Sequence, residues 1–89
     1  MESDCDFIRE IIRNTKFPES DQKLWDEIFK FAKEKHLRAI RAALEVDQNL
    51  INDFTRIFKK QLRAIASSDE NRWYEALTEE QEIIKRYMQ

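Results

Sequence analysis

The sequence predicts an all-α fold: a small antiparallel bundle of four helices with a long central second helix, the fourth either continuous or split in two. Three observations predict it. The 89 residues contain no glycine. Apolar residues recur at i, i+3 and i+4 along most of the chain, the period of a helix face. Charges run from acidic to basic four times over, as Asp4 and Asp6 before Arg13 and Lys16 illustrate. Acid-then-base suits the partial positive charge at a helix N-terminus and the partial negative charge at its C-terminus.

Helix one is expected over residues 5 to 15, where Phe7, Ile8, Ile11 and Ile12 form a stripe. Phe17-Pro18 ends it, because the residue before proline is pushed out of the α region. Helix two is expected from an N-cap at Ser20, with Trp25, Ile28, Phe29, Ala32, His36, Ala39, Ile40 and Ala43 as its stripe. Leu24 and Phe31 widen that stripe on one side, Leu37 and Leu44 on the other. A helix apolar over more than one face contacts two neighbours. Leu37 and Leu44, seven residues apart, therefore mark a candidate dimer interface.

The apolar spacing continues through Glu45 to Asn49, so a single helix from residue 20 to 66 is the alternative. It would extend about 70 Å at 1.5 Å per residue and leave its stripe uncovered in a monomer. A break is favoured because the acid-to-base order restarts there, with Asp47 or Asn49 as caps. Helix three follows over residues 48 to 66, with Leu50, Ile51, Phe54, Ile57, Phe58, Leu62 and Ile65 on one face. Arg56, Lys59, Lys60 and Arg63 fall on the opposite face.

Ser67 with Glu70 reads as a capping box opening helix four. Glu80 then falls in the apolar stripe. Thr78-Glu79-Glu80-Gln81 reads as a second capping box, which places an optional break near Thr78. Ile83, Ile84, Tyr87 and Met88 would form the face beyond it. Without glycine, helices must end by other means, with Asn14, Asn49, Ser67 and Ser68 as candidates.

The chain is expected to be one domain over residues 1–89. Charged residues make up 38% and hydrophobic residues 42%, too apolar and too regular for a disordered chain. A core this small favours self-association. Absence of glycine removes the Gly-rich phosphate loops. Cys5 is the only cysteine, so no internal disulfide forms, and Asp4 and Asp6 disfavour its thiolate. No apolar run approaches the roughly 20 residues of a membrane span. The expected setting is reducing and cytoplasmic, with no membrane partner.

Three groups of residues invite a functional reading. Arg56, Lys59, Lys60 and Arg63 lack acidic neighbours between Asp53 and Asp69. Such a face would suit an acidic protein or, as the second choice, nucleic acid. It also reads simply as a solvated face that complements the helix dipole. His36 is the only histidine and has no ligand set for a metal and no partners for acid–base catalysis. It reads as a core histidine bonded to an acceptor such as Glu80 or Tyr87. The aromatic residues read mainly as core, with Phe31 and Tyr74 nearest the stripe edges and therefore candidate exposed anchors.

The expected function is a non-enzymatic protein–protein interaction module, an adaptor, inhibitor or antitoxin-like binder that forms a homodimer. It needs no cofactor, no metal and no small-molecule substrate. A nucleic-acid binder using residues 56 to 63 is the alternative.

Overall fold

A computed structural model describes residues 3–87, with Tyr87 described in its backbone only. Five helices follow one another: α1 (Asp4–Thr15), α2 (Glu19–Phe31), α3 (Glu34–Val46), α4 (Leu50–Ser67) and α5 (Glu70–Tyr87). No strand occurs among the described residues. The all-α expectation holds, while the helix count rises from four to five.

The difference lies in helix two. Ala32 and Lys33 are extended, with ψ of 141° and 155°, and divide the expected long central helix into α2 and α3. Neither residue is a helix breaker, so local propensity does not make this turn. Burial explains it. A straight rod over residues 20 to 44 would extend about 37 Å, close to the longest dimension of the molecule, 39 Å. Its two ends could not share one core. The turn folds them together: Trp25 of α2 and Ile40 and Leu44 of α3 belong to the same buried cluster.

The expected break near Asp47 is present. Asp47 is extended, and its Oδ1 accepts a hydrogen bond from the Asn49 amide at 3.0 Å. This side chain satisfies an amide at the start of α4, as capping residues do. The optional break at Thr78 is absent, and α5 is continuous. Thr78 Oγ1 donates back to the Tyr74 carbonyl at 2.8 Å. Glu80 stays inside the helix because tertiary partners satisfy its carboxyl group. Met88, assigned to the terminal apolar face, lies outside the described residues, as does the Tyr87 side chain.

Two N-caps differ from expectation. α2 starts after extended Pro18, with Ser20 already inside the helix. Ser67 belongs to α4 and donates its hydroxyl to Arg63 O. Asp69 caps α5 instead, accepting from the Arg72 amide at 3.2 Å. Lys16 and Ser68 adopt left-handed backbone, with φ of 57° and 55°. They fill the helix-ending positions that glycine most often takes.

The core is formed by Ile8 and Ile11 of α1, Trp25 of α2, Ile40 and Leu44 of α3, and Ile51 and Phe54 of α4. Phe58 lies at its edge, edge-on to Trp25 at 5.3 Å between ring centroids. The Trp25 indole N–H donates to Thr55 Oγ1 at 2.9 Å, and that hydroxyl donates to Ile51 O at 2.7 Å. A buried indole N–H without a partner would be costly. α4 and α5 form a helical hairpin across Ser68 and Asp69, with Arg56 and Lys60 bonded to Glu79 and Gln61 to Glu80.

Candidate functional site

The four cations of α4 do not form an unpaired face. Lys59 Nζ lies 2.7 Å from Asp21 Oδ1 of α2. Arg56 and Lys60 both bond to Glu79 of α5, at 2.9 and 3.0 Å. Arg56 also lies 3.8 Å from Asp53. Only Arg63 of the four has no ion-pair partner among the described residues. The sequence showed which acids were absent from the same stretch of helix. It did not show that α2 and α5 would deliver others.

Lys59 and Asp21 also have a structural role. Asp21 is buried, and the ammonium group beside it compensates a carboxyl withdrawn from water. Hydrogen bonds to Lys60 and then Arg56 hold the Glu79 carboxyl below its usual pKa.

Leu37 and Leu44, the expected dimer contacts, are interior residues. Leu44 is fully buried and Leu37 nearly so, both in the core. The second face of helix two is apolar because, after the turn at Ala32–Lys33, α3 packs against α1, α4 and α5.

Of the two acceptors expected for His36, it meets Glu80, but it is half-buried at the edge of the core, not inside it. Its Nε2 pairs with Glu80 Oε1, while Glu80 Oε2 accepts from Gln61 Nε2 at 2.9 Å. The hydrogen bond to Glu80 raises the His36 pKa above its usual 6.5, against the opposing effect of burial. This network joins α3, α4 and α5. Both carboxyl oxygens have partners, and the ring of Phe58 packs edge-on against the imidazole at 6.0 Å. Among the described residues no group of three or more His, Cys, Asp or Glu side chains is arranged for a metal.

One opening at the surface is mainly apolar. Leu24, Ile28 and Phe58 line its base, and Phe31, Leu62, Ile65 and Trp73 surround it, with a volume of about 180 Å³. Two neighbouring depressions share its walls. One, toward Arg63, contains Leu24 and Leu62. The other, toward Glu70 and Tyr74, contains Ile65 and Trp73. Together they form a continuous groove where the end of α2 meets the α4–α5 hairpin.

Large apolar residues stand open along this groove. Phe31 is 80% exposed, Leu62 52%, Ile65 61% and Tyr74 62%. Phe31 and Tyr74 are thus where the sequence placed them. Leu62 and Ile65 were assigned to the core face of α4, and the structure corrects that. Their spacing identified the face correctly. The end of α2 at Phe31 leaves that part of the face uncovered.

The chain matches no protein-family model, no curated protein and no solved structure. None of its helices is long and apolar enough to cross a membrane, among the described residues.

Proposed function

We propose that this protein is a non-enzymatic protein–protein interaction module whose contact surface is the groove between α2, α4 and α5. The carrying observation is the run of exposed Phe31, Leu62, Ile65 and Tyr74 beside an apolar depression. Contiguous exposed apolar surface rimmed by polar groups characterises protein contact sites. Aromatic residues contribute disproportionately to binding energy. The paired charges around the groove suit a partner that is neither strongly acidic nor strongly basic. On sequence grounds the module acts in a reducing, cytoplasmic setting.

The nucleic-acid reading has less support, since Arg56, Lys59 and Lys60 are already held by acids. Its informative variant is Arg63→Glu. Lys59→Glu would place a second acid beside buried Asp21 and disturb the fold.

The test compares the wild-type protein with Leu62→Asp and Ile65→Asp in capture from the native host and in self-association. The expected result is one protein, or a second copy, held stoichiometrically by wild type and released by both variants. If neither variant changes any association, the groove is not the contact surface and the reading fails.

A further inference from the structure

The groove is suited to a second copy of the same chain. Resting on the reading above, we infer that two copies associate across a two-fold axis, each placing Phe31 in the other's groove. Three observations support this occupant.

The first is area. A folded monomer of 10.9 kDa ordinarily exposes about 5,600 Å² by the mass scaling of accessible surface. This chain exposes 6433 Å². The surplus is on the order of the ~800 Å² that each partner buries in a standard interface. The four exposed apolar side chains at the groove offer roughly 500 Å² of it, taking large aliphatic and aromatic side chains at about 150–250 Å² each. That is close to the apolar share, about 65%, of a homodimer contact of that size.

The second is shape. In a two-fold interface the same patch must supply both projection and depression. Here they are adjacent. Phe31, the last residue of α2, projects beside a depression floored by Leu24, Ile28 and Phe58. An 80% exposed phenylalanine gains more from transfer into an apolar site than any other side chain at this surface.

The third is charge. Lys59–Asp21, Lys30–Glu27 and Arg72–Asp69 neutralise one another within the chain. Arg63 and Glu70 then remain, one at each adjoining depression, without ion-pair partners among the described residues. A rim left with one positive and one negative charge is complementary to itself. A strongly acidic or basic partner would find no matching excess there.

Sedimentation velocity on the full chain, from about 1 µM to about 1 mM, tests the inference. The expected result is a reversible monomer–dimer equilibrium. Phe31→Asp should raise the dimer dissociation constant at least thirtyfold, the loss typical of a central anchor (about 2 kcal/mol or more). Circular dichroism should show its helix content and monomer melting unchanged, since Phe31 makes little contact with the core. In a second measurement, Trp73 emission should shift to the red on dilution in a Trp25→Phe background.

A wild-type chain that stays monomeric at 1 mM overturns the inference. So does a dimer of unchanged affinity in Phe31→Asp, which would place the contact elsewhere. A strict monomer that still binds another protein, and loses it in Leu62→Asp, sinks the second copy and leaves the interaction reading intact.

Discussion

The two halves of α4 carry the same apolar stripe and have different fates. In the first half Leu50, Ile51, Phe54, Ile57 and Phe58 are all buried; in the second half Leu62 and Ile65 are more than half exposed. Nothing in the spacing separates them. What separates them is the cover. α2 and α3 pack over the first half, as Trp25 against Thr55 and His36 against Phe58 show, whereas α2 terminates at Phe31 beside the second. Helical periodicity thus identifies a face, and the neighbour that lies on it is a separate matter. The buried half is committed to stability, and the open half is available for contact.

The largest test of this contrast is a pair of truncations. Phe54→Ala should cost about 3–5 kcal/mol in urea denaturation, the usual loss for a buried aromatic. Ile65→Ala, measured at a concentration low enough to keep the chain monomeric, should cost less than about 1 kcal/mol. Equal losses would mean that the second half is also core.

Thr55→Val should cost about 1–3 kcal/mol, because it leaves the Trp25 indole N–H buried without an acceptor. Near-ultraviolet circular dichroism should show altered Trp25 packing. A neutral effect would indicate that water reaches this part of the core and that the closed half is less closed than described.

The His36–Glu80–Gln61 network lies between the two halves, and its contribution depends on pH. The folded-state pKa of His36 is raised above 6.5, so the folded state binds the proton more tightly than the unfolded state does. That contribution is fully present below pH 6.5 and is lost as pH rises through the folded value. Denaturation midpoints should therefore fall over that window, and His36→Gln should flatten the profile there. A wild-type profile flat across the window would contradict the arrangement.

The smallest expected effect is at Glu79. Its pKa is lowered in the folded state, so its contribution is present above pH 4.5 and is lost as pH falls through the folded value. Glu79 is partly exposed, and solvent and salt screen the pair. Glu79→Gln should change stability at neutral pH by no more than about 1 kcal/mol, and less at high salt. A larger loss would show that the α4–α5 hairpin depends on its surface charges.

Several local features were legible in the sequence. The break at Asp47 was announced by a change in charge order and by a side chain able to cap. His36 was read as bonded to an acceptor such as Glu80 or Tyr87, and it meets Glu80, whose buried carboxyl group needs a partner. Phe31 and Tyr74 stood at stripe edges and are exposed. The turn at Ala32–Lys33 was not legible, since its residues suit a helix and only the shared core bends the chain there. Leu37 and Leu44 were read as an outer face for the same reason: without the turn, nothing covers them. The partners of Arg56, Lys59 and Lys60 come from α2 and α5, at sequence distances that no helix-face argument reaches.

The sequence by itself determined that the chain is helical, where most helices begin and end, and which face of each is apolar. These follow from interactions within a few residues: the 3.6-residue period, capping side chains and the alignment of charge with the helix dipole. Tertiary structure alone decided that helix two is two helices, which cations are neutralised, and which stretch of apolar face stays open. Those outcomes depend on contacts between residues far apart in the chain, where burying one common core outweighs the preference of Ala32 and Lys33 to continue a helix.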